Sequence, residues 1–218
     1  MAIEVLAGGP KRHLHPYYTP KRFYRRDLGA GTVTSVTGLR CVQVTEDFMV
    51  GLQAGLTEEV GDAAGLIMYK CGYQWGMADM KSFEGRMKPE WGVDMREMNV
   101  KFMLETWWWP LTVQGWGAWK MDFQYENQGM VFIELYESAV AKSLERIGKP
   151  VCYLYAGLLA GTFSYLKQDE LSCIEIQCYA MGNDVCKFMI APESRTNAAQ
   201  FWVQEGASAT EIMNKLQL

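Results

Sequence analysis

The chain has 218 residues, 49% apolar and 21% charged, the balance of a folded globular protein, which excludes a disordered, collagen-like or low-complexity chain. Its formal net charge of −4 argues against a dedicated nucleic-acid binder, whose surface carries a broad basic face. Eight Trp, fourteen Met and a 13% aromatic share leave material beyond a core for a ligand pocket or a partner surface.

Residues 1–31 read as irregular, because Gly8-Gly9-Pro10, Pro16, Pro20 and Gly29-Ala30-Gly31 are loop punctuation. Lys11, Arg12, Lys21, Arg22, Arg25 and Arg26 stand there against Glu4 and Asp27. This is a basic arm, either solvated or set against acidic lipid headgroups or an acidic partner. Met1 to Lys11 lacks the basic start and apolar run of an export signal. Thr32–Val44, rich in Val and Thr, predicts a strand or two.

Residues 46–87 read as helix, with Val60, Ala64, Ile67, Met68, Cys71 and Trp75 at spacings of three and four. Gly55, Gly61, Gly65, Gly72 and Gly76 are many for a helix, each costing up to ~1 kcal/mol relative to Ala, and close packing against a neighbour or a ligand would justify them. Pro89 breaks this segment, and a second helix is expected over 94–108, ended by Pro110. Residues 116–123 and 130–136 predict a hairpin. A short helix is expected over 138–147, closed by Gly148, and another from Pro150 to about Lys167. Val151 to Leu166 is uncharged, but it falls short of the ~20 residues that span a bilayer, so it predicts a buried helix. Residues 171–180 and 185–190 form a second expected hairpin, and the chain from Ser194 is helical with a break at Gly206.

This order predicts an α+β fold, an antiparallel sheet of about four to five strands with helices packed on one side. The expected divisions are an irregular basic extension with a strand over 1–44, a ligand-binding domain over 45–192 and a helical segment over 193–218. Six cysteines in a chain of this length do not form a secreted disulfide scaffold, so the expected compartment is the cytoplasm.

No P-loop, GxGxxG, GxSxG or HExxH motif is present, and both histidines, His13 and His15, lie in the arm. Cysteine and carboxylate remain. Cys178 and Cys186 are equidistant from Gly182, so in a simple hairpin they face each other across the strands on one side, with Cβ atoms ~4.5–5.5 Å apart. Two thiolates at that separation reach one metal at ~2.3 Å each, or form a disulfide. Glu175 stands three residues before Cys178 and points to the other face of an ideal strand, so a bulge or a strand end must bring it round. Cys152, near the start of the preceding helix, approaches from the side. Three thiolates and a carboxylate make a closed, structural set for zinc. Inert buried thiols and a redox pair are the alternatives that the residues alone leave open.

Residues 150–192, from Pro150-Val-Cys152 through the Gly161-containing helix to Cys178-Tyr-Ala-Met-Gly182-Asn-Asp-Val-Cys186-Lys-Phe188, resemble the C-terminal half of the 4-vinyl-reductase domain family. That family includes the sensor domains of aromatic-responsive transcription activators and stand-alone proteins of chlorophyll biosynthesis, and its fold is shared with TRAPP transport-particle subunits. The resemblance implies a zinc held by Cys152, Glu175, Cys178 and Cys186. It also implies an apolar cavity between helices and sheet, for which Trp107, Trp108, Trp116, Trp119, Phe132, Tyr136, Tyr155 and Phe163 are the candidate walls. Flat walls suit a flat conjugated guest such as a tetrapyrrole. The expected function is therefore a non-enzymatic carrier or assembly factor for chlorophyll or a precursor in photosystem biogenesis. The arm would meet a photosystem or membrane-associated complex, placing the protein peripheral to a photosynthetic membrane. Alternatives are a vinyl reductase, which needs a hydride donor, and a dimeric interaction module.

Overall fold

The computed structural model describes residues 20–144 and 146–217. Most of the basic arm, with Lys11, Arg12, His13 and His15, lies outside the described residues. Next comes a small antiparallel sheet in the order β1-β2-β3, with β1 at Tyr24–Asp27, β2 at Thr32–Ser35 and β3 at Arg40–Cys41. β1 falls in a stretch expected to be irregular. Its short register, Tyr24 opposite Ser35 to Asp27 opposite Thr32, is closed where the Asp27 carboxylate accepts the Ala30 N–H at 2.9 Å.

Two helices replace the single one expected over 46–87: α1, Glu46–Val60, and α2, Ala63–Trp91. The break is Gly61, held at φ 59° with its N–H on the Thr57 carbonyl, a conformation only glycine enters at little cost. Pro89 does not stop α2. It lies in the last turn, and the helix closes at Gly92, whose N–H bonds the Lys88 carbonyl at 2.9 Å. The next helix, α3, is Val100–Val113. It starts later than the sequence suggests because Asn99 caps it, its Oδ1 accepting the Lys101 and Phe102 N–H groups at 3.1 Å. It also continues through Pro110, since Leu111 extends the buried stripe of Leu104, Trp107 and Trp108.

The second sheet is antiparallel and runs β4-β5-β7-β6, with β4 at Ala118–Asp122, β5 at Val131–Tyr136, β6 at Ser172–Gln177 and β7 at Cys186–Ala191. The expected helix over 138–147 is not formed. Residues 138–144 make turns, because the Ser138 hydroxyl takes the Val140 and Ala141 N–H groups and the Tyr155 hydroxyl takes that of Ala139. α4 is Tyr153–Lys167 and is buried continuously from Tyr155 to Ser164. The α+β antiparallel class expected from the sequence is the class observed. One face of the larger sheet, with Trp119, Ile133, Leu135, Phe188 and Ile190, packs on α2, α3 and α4. The expectation of helices on one side needs a correction. The opposite face, with Phe132, Ile176 and Met189, is covered by α5, Glu193–Gln204, and α6, Ala209–Lys215, through Ala199 and Ile212. That face is apolar too, so leaving it bare would expose a hydrophobic patch.

α2 and α4 run side by side in the same direction and touch backbone to backbone. A Cβ placed on Gly72 would sit 2.1 Å from the Leu154 carbonyl oxygen, and one on Gly76 would sit 2.3 Å from that of Leu158. Reciprocally, a Cβ on Gly157 would lie 2.0 Å from the Tyr69 oxygen and one on Gly161 2.2 Å from that of Tyr73. The glycine excess noted in the sequence is thus explained by close packing against a neighbour.

At the C-terminal end, α6 opens with a capping box. Ser208 Oγ accepts the Glu211 N–H at 3.3 Å, and the Glu211 carboxylate accepts the Ser208 N–H at 2.7 Å. Ser208→Ala should lower stability by about 1 kcal/mol, read as a shift of the urea midpoint at unchanged slope. A midpoint equal to that of the parent protein would show that α6 does not depend on its cap. Among the described residues, no helix is long and apolar enough to cross a membrane.

Candidate metal centre and cavity

Four side chains that are far apart in sequence converge where α4 begins. Cys152 is the residue before α4, Glu175 lies in β6, Cys178 follows β6 and Cys186 opens β7. One ligand atom from each lies within 4.8 Å of all the others, and all four residues are buried. The β6–β7 register accounts for this. Glu175 pairs with Phe188 and Gln177 with Lys187, so one extra residue, Ile176, bulges from β6. Continued by one residue, the pairing sets Cys178 opposite Cys186. The bulge also turns Glu175 to the same face as Cys178 despite their odd spacing.

The Sγ atom of Cys186 lies 3.7 Å from that of Cys152 and 3.8 Å from that of Cys178. All three thiols are free, and these separations are far beyond a disulfide bond. A tetrahedron with bonds of ~2.3 Å to sulfur has sulfur–sulfur edges of ~3.8 Å. The carboxylate fits as well. Glu175 Oε2 accepts the backbone N–H groups of Val151 at 3.1 Å and Cys152 at 2.9 Å, at the positive end of α4. Its Oε1 is buried with no hydrogen-bond partner among the described residues. A buried carboxylate oxygen costs free energy when unpaired, and a cation beside it removes that cost.

Burial pushes the Glu175 carboxyl and the Cys152 thiol well above their usual ranges. Hydrogen bonds from the Cys152 and Cys186 thiols hold Cys178 down to about 3. By itself the cluster therefore gathers negative charge on one sulfur and keeps its neighbours protonated. A divalent cation would reverse this balance by favouring thiolate on each sulfur. The donor set fits zinc.

A separate cavity of about 670 Å³ lies between the small N-terminal sheet and the helices. Its walls come from Phe23 and Tyr24, from residues 39–46, from Met49 of α1, from Trp75, Asp79 and Arg86 of α2, and from Trp107, Leu111 and Trp116. Of the eight wall residues expected from sequence, Trp107 and Trp116 line it. Trp108 and Trp119 stack at 4.3 Å and 12° and fill the core beside it, joined by Tyr155 and Phe163. Phe132 faces α5 and α6, and Tyr136 donates to Glu134 at 2.9 Å. The small sheet and the α2 residues were missed. Asp79 did carry a signal, as a charge between Gly76 and Met80 on a helix face otherwise made of Met, Gly and Phe.

The polar contacts on the α2 wall are specific. Trp107 Nε1 donates to Asp79 Oδ2 at 2.7 Å. Burial raises the Asp79 pKa, while this bond and the charge of Arg86 lower it. Trp75 and Trp116 lie 5.1 Å apart between ring centroids.

Comparison with known proteins bears on both sites. The phenol-responsive sensory domain of the transcription activator PoxR, solved with phenol, superposes with a TM-score of 0.68 over 90% of this chain and 96% of that one, at 15% identity. Weaker likenesses are a vinyl-4-reductase family protein from Methanocaldococcus jannaschii (TM-score 0.42, 15% identity, 66% of this chain and 75% of that one) and a trafficking protein particle complex subunit 3 from Naegleria fowleri covalently bound to palmitic acid (0.48, 15%, 67% and 93%). An uncharacterized protein of Methanocaldococcus jannaschii is 30% identical over 64 residues, which is 29% of this chain and 40% of that protein's length. Residues 131–192, which run from β5 through β7 and contain all four residues of the buried cluster, match the 4-vinyl-reductase domain, and the chain carries that domain.

Proposed function

We propose that the protein is a non-enzymatic small-molecule carrier or assembly factor whose cavity takes a flat, hydrophobic tetrapyrrole, chlorophyll or a precursor, in photosystem biogenesis. Zinc on Cys152, Glu175, Cys178 and Cys186 would have a structural role, tying α4 to the β6–β7 hairpin. The observation that carries the reading is the cavity of about 670 Å³ with Phe23, Tyr24, Trp75, Trp107 and Trp116 in its walls, a size and lining typical of ligand sites. Its likeness in fold to a sensory domain that binds phenol supports a small aromatic guest. The basic residues of the arm would then meet an acidic membrane surface or a photosystem complex.

The test is purification under reducing conditions, followed by elemental analysis, an absorption spectrum and a titration with chlorophyllide. Close to one zinc per chain and saturable quenching of tryptophan fluorescence by the pigment are expected. A protein without metal that leaves chlorophyllide free in solution would overturn the proposal.

A further inference from the structure

Resting on the tetrapyrrole reading above, we infer that the cavity selects a metal-free tetrapyrrole acid, with ring N–H groups facing Asp79 and a rim carboxylate facing Arg86. Trp75, Asp79 and Arg86 share the α2 wall of the cavity. Four and seven residues of helix separate them, so indole, carboxylate and guanidinium follow one another at rises of about 6 Å and about 10 Å. A flat ligand lying along α2 meets all three.

The two charged groups on this wall have opposite signs. A simple organic cation that satisfies Asp79 also faces Arg86, and a simple anion that satisfies Arg86 also faces Asp79. A ligand with a donor near its middle and an acceptor at its edge satisfies both. Asp79 is oriented for this. Its Oδ2 is held by the Trp107 indole at 2.7 Å, and among the described residues no hydrogen bond reaches its Oδ1. Arg86 keeps an ion pair with Glu90 at 3.6 Å and lies 5.7 Å over the Phe83 ring. That fixes the guanidinium, whose planar set of five N–H donors can serve a further carboxylate.

The chemistry separates closely related tetrapyrroles. A free base carries two N–H groups at the centre of the ring. A magnesium chelate has none, so it offers Asp79 no donor. An esterified side chain has no carboxylate for Arg86. Hydrogen bonds to a buried charged group are among the stronger ones, and losing either partner leaves the other stranded.

The experiment titrates the full-length, zinc-loaded protein with protoporphyrin IX, its magnesium chelate and its dimethyl ester, read by tryptophan quenching and the shift of the main absorption band. The free acid should bind at least about tenfold tighter than either relative, about 1.4 kcal/mol for each contact. Asp79→Asn should erase the preference over the magnesium chelate and keep the preference over the ester. Arg86→Gln should do the reverse, and Arg86→Lys should restore the preference for the acid, with zinc content reporting that each variant is folded. Equal affinity for all three pigments would overturn this inference while the tetrapyrrole reading stands. Failure to bind any of them would overturn both.

Discussion

Replacing Gly157 with alanine is expected to cost at least about 3 kcal/mol and to leave little native protein at 37 °C. The new methyl group would be built 2.0 Å from the Tyr69 carbonyl oxygen. The obstacle is the backbone of α2, not a side chain that can rotate away. Relief requires α2 and α4 to separate, and α4 is buried from Tyr155 to Ser164. Overpacking a core typically costs 1–3 kcal/mol and more where the neighbour cannot move, set against a total stability of about 5–15 kcal/mol. Gly55 of α1 is the control. A Cβ there meets nothing within 4 Å, so Gly55→Ala should be neutral or stabilise by up to about 1 kcal/mol through helix propensity. Urea unfolding of both variants, analysed for midpoint and slope, makes the comparison. Equal midpoints would mean that the two helices are not in the contact described.

Cys178→Ser is expected to abolish stoichiometric zinc and to cost at least about 3 kcal/mol, an effect that added zinc cannot reverse. Loss of a structural metal belongs to the short group of changes with effects this large. In the parent protein, zinc bound to the native state raises the melting temperature with metal concentration, and a chelator removes that gain. In the variant, both additions should leave the melting temperature unchanged. Protons compete with the metal for the same sulfurs, so zinc release should increase as the pH falls. A Cys178→Ser protein that retains a full zinc complement would show that the ion sits elsewhere.

The hairpin was the most legible part of the chain. Cys178 and Cys186 stand at equal distances from Gly182, whose φ of 94° marks the turn, and that symmetry alone gives their pairing. The need for a bulge near Glu175 was also readable, because an odd spacing cannot hold two ligands on one face of a regular strand. The glycines of α2 announced a close approach, though not its partner. Other features depend on tertiary packing. Residues 138–147 have the composition of a helix, but their N–H groups are captured by the Ser138 and Tyr155 hydroxyls. Pro110 reads as a stop until Leu111 is seen buried beyond it. The cavity was hardest to read, since half of its wall comes from short strands that pair only locally and carry no motif. Trp107 and Trp108 are neighbours of the same type, and only the helix phase sends one to the cavity and the other into the stack with Trp119.

The bulge at Ile176 restricts how the length of this segment can change. Most hairpins absorb an added or lost residue at the tip, where the backbone is loose. Here the two arms must stay equal to keep Cys178 opposite Cys186. Shortening β6 by the one bulged residue would restore a regular ladder and rotate Glu175 toward α5, away from the sulfurs. A drift of one residue in either arm disassembles the donor set, so a longer tip is compatible with it only when both arms grow together.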